Sequence, residues 1–135
     1  AWIDALATWT AALRAQGQPL VLTGDFNIAP EDRDVHDPVL WAGKVLCSVP
    51  ERERFQTLCG LGLVDAFRLF EQQPKSYSWW DYRQLGFRRN AGLRIDHVLV
   101  DERLRDKVVG CTIDKEPRRR EQPSDHAPVI AELGT

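Results

Sequence analysis

Three short runs of consecutive apolar residues constrain the fold of this chain most strongly. They are Leu20–Leu22, Val98–Val100 and Val129–Ala131. A strand that is buried on one face alternates apolar and polar residues, whereas a strand covered on both faces is apolar at successive positions. The runs therefore predict inner strands of a sheet that needs cover on both sides.

Helical patterns supply the cover for one side of this sheet. Trp2, Leu6, Trp9 and Leu13 recur at intervals of 4, 3 and 4, which predicts an amphipathic helix with these residues on its buried face. Ser48-Val49-Pro50-Glu51 has the pattern of a capping box and predicts the start of a second helix. Further strands are predicted at Ser76 to Trp80, Leu93 to Val100, Val108 to Ile113 and Ala127 to Leu133, with a short element at Leu63 to Phe70 and a long loop from Asn27 to about Ser48.

The predicted fold is an α/β (α+β) sandwich: a mixed, largely antiparallel sheet of about five strands, with helices on one face. A chain of 135 residues suits one domain, but nothing in it covers the second face of the sheet. It has no methionine and opens with a helical pattern at Ala1. We therefore expect a piece of a longer protein, or a homodimer formed through the uncovered face.

Charge and cysteine content narrow the classes of function. A net charge of -2 disfavours a non-specific polyelectrolyte binder, although a local basic surface can still steer nucleic acid. Three cysteines without close spacing favour a reduced, cytoplasmic protein over a disulfide scaffold. No apolar run approaches the roughly 18 residues of a membrane span, so no membrane partner is expected.

Polar and ionisable residues interrupt or follow the apolar runs. Asp25 and Asn27 follow the first run and should project together from an extended backbone; capping of the loop is the alternative. Asp96 within its strand needs a partner, and His126 is the predicted one, with a purely structural pair as the alternative. Asp125 should present oxygen to a divalent cation, and oxygen ligands favour Mg²⁺ or Mn²⁺.

Aromatic residues and arginines alternate between these positions. The segment from Tyr77 to Arg83 and the segment from Phe87 to Arg94 combine rings that stack on bases with cations that contact phosphate, although each ring alone could belong to the core. The run from Arg118 to Arg120 is predicted to be a solvated turn. His97 is predicted to pack, and His36 to lie in a loop.

Taken together, these motifs resemble the exonuclease III family of abasic-site endonucleases, in the endonuclease/exonuclease/phosphatase superfamily. Five segments occur in the order found in that family. They are Gly24-Asp25-Phe26-Asn27-Ile28-Ala29-Pro30, Gly62-Leu63-Val64-Asp65-Ala66-Phe67-Arg68, Ser78-Trp79-Trp80-Asp81-Tyr82-Arg83, Gly92-Leu93-Arg94-Ile95-Asp96 and Pro123-Ser124-Asp125-His126-Ala127-Pro128-Val129. By the resemblance, residues 1–135 form the C-terminal half of the four-layer, deoxyribonuclease I-like fold, and the N-terminal half is absent.

The resemblance implies a role for each candidate residue. Asp25 would activate water, Asn27 would hold the scissile phosphate, and His126, paired with Asp96, would contact the phosphate, while Asp125 and Asp25 would serve the metal site. Trp79, Leu93 and Ile95 would line the pocket for a flipped abasic sugar, and Arg83, Arg88 and Asn90 would contact DNA.

The implied activity is Mg²⁺-dependent cleavage of double-stranded DNA at abasic sites and at 3′ ends, in base excision repair. The family takes further ligands and a catalytic tyrosine from its first half, so this chain alone is expected to be inactive. Two alternatives stay open: a phosphoesterase of the superfamily acting on RNA or small phosphate esters, and a non-catalytic module that binds nucleic acid.

Overall fold

The computed structural model describes residues 2–120 and 124–134, so that Pro123 of the last motif lies outside the described residues. The helices are α1 (Trp2–Ala15), α2 (Pro38–Trp41) and α3 (Val49–Gly60). The strands are β1 (Val21–Asp25), β2 (Leu63–Asp65), β3 (Trp79–Trp80), β4 (Gly92–Leu93), β5 (Asp96–Asp101), β6 (Val108–Ile113) and β7 (Val129–Leu133). Short 3-10 helices lie at Asp32–Asp34, Ala66–Leu69, Arg83–Leu85, Glu102–Lys107 and Glu116–Arg119.

A three-stranded antiparallel sheet in the order β1-β5-β2 forms the centre of the fold. Its middle strand β5 contains the predicted run Val98–Val100, whose three residues are all buried. The register pairs Leu22 with Leu99 and, at the end of β1, Asp25 with Asp96. Two carboxylates from distant parts of the sequence therefore lie beside each other at one end of the sheet.

The two faces of this sheet are covered by different elements, so the expectation that nothing in the chain covers the second face is wrong at β5. On one face Leu99 packs with Ile3 of α1, with Phe55 and Leu58 of α3 and with the start of β2. On the other face Val98 and Val100 pack against the hairpin of β6 and β7 and the 3-10 helix at Ala66–Leu69. The prediction of helices on one face is confirmed, and each pair of strands among the described residues is antiparallel.

The capping box predicted for α3 is present. The Ser48 hydroxyl accepts a hydrogen bond from the backbone N–H of Glu51, and the Glu51 carboxylate accepts one from the backbone N–H of Ser48. Each contact satisfies a donor that the first turn of a helix leaves unpaired. Within the loop predicted from Asn27 to Ser48, α2 and the 3-10 helix at Asp32–Asp34 add order that the sequence pattern did not indicate.

Three expectations about these elements are wrong. The runs Leu20–Leu22 and Val129–Ala131 lie in or next to β1 and β7, which are edge strands with mostly exposed residues and not inner strands. In α1 the buried positions are Ile3 and Thr10, whereas Trp2 and Trp9 are 52% and 57% exposed. The helix is thus turned relative to the predicted apolar face, and it packs through Ile3 against Phe55 and Leu58 of α3. The strand predicted from Leu93 to Val100 is broken into β4 and β5 at Arg94 and Ile95.

Of the remaining strands, β3 and β7 are shorter than predicted, and β6 has the predicted length. β3 contains only Trp79–Trp80 and pairs with β4, while β6 begins and ends at the predicted residues. Among residues 2–120 and 124–134, none of the helices has the length and apolar character of a membrane span.

Candidate active site

The loop that follows β1 turns sharply at Asn27. The backbone N–H of Phe26 donates to the Ile95 carbonyl, which keeps this residue beside the strand break, but Asn27 has a positive φ of 54°. The expectation of an extended backbone through Asn27 is therefore wrong at that residue. Asparagine tolerates the left-handed conformation, and here its N–H donates to Oδ1 of Asp25 at 2.9 Å. Asp25 both caps this turn and keeps its second oxygen exposed.

Asp96 and His126 form the predicted pair. Nδ1 of His126 lies 2.8 Å from Oδ2 and 3.1 Å from Oδ1 of Asp96. Burial raises the pKa of Asp96 by more than its hydrogen bonds to His126 and Ser78 lower it. Burial by itself would lower the pKa of His126, but Asp96, Asp25 and Asp125 together raise it above its ordinary value. The carboxylates therefore shift the imidazole towards its charged form, in which Nδ1–H donates to Asp96 and Nε2–H is directed elsewhere.

Two further carboxylates face the other nitrogen of this imidazole. Oδ2 of Asp25 lies 3.6 Å and Oδ1 of Asp125 lies 3.7 Å from Nε2 of His126. The remaining oxygen of Asp125 accepts a hydrogen bond from the Trp79 indole at 3.1 Å. Both carboxylates are half-exposed, so the space in front of Nε2 is open to a ligand and carries negative charge on two sides.

These side chains could hold a metal ion. Among the described residues, Asp25, Asp96 and His126 each place a ligand atom within 4.8 Å of the other two. Asp96 and His126 are engaged with each other, which leaves the oxygens of Asp25 and Asp125 as the accessible donors. Hard carboxylate oxygens on an exposed surface suit a cation such as Mg²⁺. The assignment of Asp125 and Asp25 as metal ligands stays a prediction.

The residues predicted to line a sugar pocket differ in their exposure. Leu93 and Ile95 are 0% and 2% exposed and belong to a core cluster with Val35 and Cys47, so they present no surface to a ligand here. Trp79 is partly exposed and forms one wall of a groove of about 400 Å³. His36, Leu40 and Trp41 also line this groove.

The predicted DNA-contacting residues lie in the segment after β3. Arg83 is exposed and makes a bidentate contact with Asp81, with distances of 2.7 and 3.1 Å, and Arg88 is exposed. Asn90 has a structural contact: its Oδ1 accepts from the buried Trp80 indole at 3.1 Å, and its Nδ2 donates to the Lys75 carbonyl. The exposed arginines could reach a phosphate, whereas Asn90 fixes the conformation of the segment.

The prediction of a solvated turn at Arg118 to Arg120 is wrong for its first member. Arg118 is only 7% exposed, and its guanidinium lies 5.2 Å from the Tyr82 ring and 5.0 Å from the Phe87 ring. It also donates to the Trp80 carbonyl at 3.3 Å. Two aromatic faces stabilise a cation that burial would otherwise penalise. Arg118 thus ties the segment after β3 to the segment that leads to Asp125.

Sequence reasoning missed the groups that hold the strand break. Arg94, 1% exposed, contacts Asp34 at 2.7 Å and Asp65 at 2.7 Å. The Ser78 hydroxyl accepts from the backbone N–H groups of Ile95 and Asp96, each at 3.1 Å. An arginine inside an apolar run was the available signal for a buried network, since such a charge needs anionic partners.

Comparison with known proteins places this site in a recognised family. The model of the Endonuclease/Exonuclease/phosphatase family matches residues 1–126. Exodeoxyribonuclease III of Haemophilus influenzae is 40% identical over 125 residues, which cover 87% of this chain and 47% of that relative.

Two solved structures share the fold over nearly the whole chain. A 3′ phosphatase from Neisseria, NExo, bound to a product DNA hairpin, has a TM-score of 0.95 at 43% identity, over 99% of this chain and 52% of that one. An AP endonuclease from Archaeoglobus fulgidus has a TM-score of 0.91 at 30% identity, over the same shares. The chain therefore spans about half the length of the relatives that it matches.

Proposed function

Because this chain belongs to the endonuclease/exonuclease/phosphatase family, as its motifs predicted, we propose that the protein is a metal-dependent phosphodiesterase of DNA repair. Its substrates would be double-stranded DNA with abasic sites, cut on the 5′ side, and DNA 3′ ends, degraded by exonuclease action. The single observation that carries the proposal is the convergence of Asp25 and Asp125 on Nε2 of an imidazole that Asp96 fixes through Nδ1.

Each side chain would have a separate task in hydrolysis. The exposed oxygen of Asp25 takes a proton from the attacking water, while Asn27 donates from its amide to a non-bridging phosphate oxygen. His126, charged through its contact with Asp96, donates from Nε2 to another phosphate oxygen. Water attacks phosphorus in line with the 3′ oxygen of the DNA strand; the bond from phosphorus to that oxygen breaks, and the oxygen leaves as a hydroxyl after taking a proton from solvent.

The metal would be Mg²⁺, or Mn²⁺ in its place, held by the carboxylates of Asp125 and Asp25. The donor set fits such an ion, because both residues offer hard oxygen atoms to the same open space. The ion would neutralise negative charge that develops on the phosphate oxygens. Without it, the three carboxylates around His126 would repel a phosphate, which supports a requirement for a cation.

A second activity at the same site is removal of a 3′-phosphate. The support is the Neisseria relative, a 3′ phosphatase bound to a product DNA hairpin, which shares this fold at 43% identity. In a 3′-phosphate, the terminal phosphorus would lie in front of Asp25, where the phosphodiester phosphorus would otherwise lie. Water would attack this phosphorus, and the 3′ oxygen would leave. A phosphoesterase of RNA or sugar phosphates, and a non-catalytic nucleic-acid-binding module, are the alternatives that the test must separate.

The test compares substrates and variants in the whole protein that carries this chain. We expect cleavage of abasic duplex and of 3′-phosphate ends, loss of both with EDTA, and a loss of about 10²-fold or more in Asp25→Asn and His126→Ala. Asp106→Asn, an exposed carboxylate outside the site, is the matched control and should behave like the wild type. Preference for RNA or a sugar phosphate would favour the alternative enzyme. DNA binding without metal, unchanged in both site variants, would favour the binding module.

We also propose that the 135-residue chain is inactive alone, because it would require an N-terminal half for its remaining metal ligand. The exposed Trp2, Trp9 and Val21 offer apolar surface for that half or for a second copy of the chain. EDTA-sensitive cleavage of abasic duplex by the 135-residue chain would contradict the first statement. A monomer in light scattering at high concentration would contradict the homodimer.

A further inference from the structure

His97 is a buried histidine on β5 next to Asp96. Successive side chains of a strand point to opposite faces, so Asp96 contacts His126 while His97 turns into the core beneath the loop that follows β1. The imidazole of His97 is 1% exposed and lies 5.7 Å from the Phe26 ring and 4.9 Å from the Phe55 ring, measured between centroids. Water has no access to it there.

Both ring nitrogens of His97 have defined partners. Nη1 of Arg94 lies 3.2 Å from Nδ1, and Nε2 lies 2.7 Å from the backbone carbonyl oxygen of Ile28. A guanidinium only donates hydrogen bonds and a carbonyl only accepts them. Nδ1 is therefore the acceptor, and Nε2 carries the proton that it donates to Ile28. The two partners fix one neutral tautomer of the ring.

Arg94 is itself held from two sides. Its Nε lies 2.7 Å from the Asp34 carboxylate and its Nη2 lies 2.7 Å from the Asp65 carboxylate, and its guanidinium stacks on the Phe67 ring. Planar bidentate contacts restrict the orientation of a guanidinium more than a single ion pair does. The donor that faces His97 is consequently fixed in space.

The carbonyl that His97 holds belongs to the residue after Asn27. Asn27 has a left-handed backbone, which a non-glycine residue keeps only when its surroundings hold it there. Asp25 holds it on the amino side through the Asn27 N–H, and His97 holds it on the carboxyl side through Ile28. On β5, Asp96 thus holds His126, and the neighbouring His97 holds the turn at Asn27 through the Ile28 carbonyl.

We propose that His97 is a positioning residue for Asn27, and that Arg94 sets the tautomer that it needs. This role rests on the proposed function, in which the Asn27 amide holds the phosphate. His97 touches no substrate; it fixes the backbone from which that amide projects. Because Asp96 lies on the opposite face, the pair of Asp96 and His126 is independent of it.

The experiment compares His97→Phe with His97→Gln in the whole protein that carries this chain. Phenylalanine fills the same space without hydrogen bonds, whereas the glutamine amide can accept from Arg94 and donate to Ile28. Leu58→Ala, in the core cluster that His97 adjoins, is the control for loss of stability alone. The readouts are the backbone and side-chain amide resonances of Asn27, the pH titration of His126 by NMR, and the affinity for a short duplex that carries a 3′-phosphate.

We expect His97→Phe to shift the Asn27 resonances and to weaken DNA binding about tenfold, the loss that corresponds to one hydrogen bond to a charged group. The titration of His126 should stay unchanged, and His97→Gln should restore both the Asn27 resonances and the affinity. Unmoved Asn27 resonances in His97→Phe, or an equal shift of them in Leu58→Ala, would overturn the proposal. If the wild-type protein binds no DNA, the proposed function fails, and the Asn27 resonances still decide the role of His97.

Discussion

Replacing Arg94 by methionine should remove a large part of the stability of this chain. The side chain is 1% exposed and joins Asp34 of the loop after β1 to Asp65 at the end of β2. Breaking a buried ion pair from one side costs about 3–5 kcal/mol, because the remaining charge is left without its partner. Asp34 keeps its contact with Arg68, and Asp65 is partly exposed, so we expect the lower end, about 3 kcal/mol.

Urea denaturation followed by tryptophan fluorescence measures this loss. For a domain of this size, a loss of about 3 kcal/mol lowers the melting temperature by roughly 10 °C. Arg83→Met is the matched control: it removes the same charge from an exposed arginine–aspartate pair and should leave the midpoint unchanged. If Arg94→Met and Arg83→Met unfold at the same urea concentration, the Arg94 guanidinium does not hold the strand break.

Three further outcomes are expected, one for His126, one for Arg118 and one for two cysteines. The pKa of His126 is raised in the folded chain, so its contribution to stability is present at pH values below its unfolded pKa and is lost as the pH rises through its folded pKa. The difference in unfolding free energy between the wild type and His126→Gln should therefore be larger at pH 6 than at pH 9; a constant difference would contradict this. Arg118→Gln should cost about 1–2 kcal/mol and speed proteolysis of the segment after β3, whereas Arg119→Gln should do neither. Burial raises the pKa of the Cys59 and Cys111 thiols to about 11, so both should react slowly with DTNB at pH 8 until the chain is unfolded; fast reaction of the folded chain would contradict this.

The central strand β5 and the site pair could be predicted from local sequence patterns, whereas the same apolar signal was misleading for β1 and β7, which are largely exposed. The run Val98–Val100 is apolar at each position because both faces of β5 are covered, and that signal needs no knowledge of the partners. Asp96 within the same run required a partner for its charge, and His126 provides one. The free-energy cost of burying a charged side chain depends on the side chain itself, so the need for a partner can be predicted from the sequence alone.

Orientation and partner choice could not be predicted in this way. The face of α1 that is buried depends on the shape of α3, and large exposed tryptophans gave a misleading periodicity at Trp2 and Trp9. Arg118 looked like part of a solvated basic run, because the rings that cover it come from a segment about 30 residues earlier. The turn at Asn27 follows from its hydrogen bond to Asp25 and from the support of His97, which lies on another strand.

A chemical-shift map of the whole protein that carries this chain, recorded with DNA, shows where the nucleic acid binds and whether binding depends on Mg²⁺. The ligand would be a short duplex with an abasic-site analogue, added with and without Mg²⁺. We expect the largest chemical-shift changes at Asp25, Asn27, Asp96 and His126. Mg²⁺ should increase these changes, and Asp25→Asn and His126→Ala should reduce them. Changes confined to the turn from Arg118 to Arg120, with an affinity that both variants leave unchanged, would contradict this expectation.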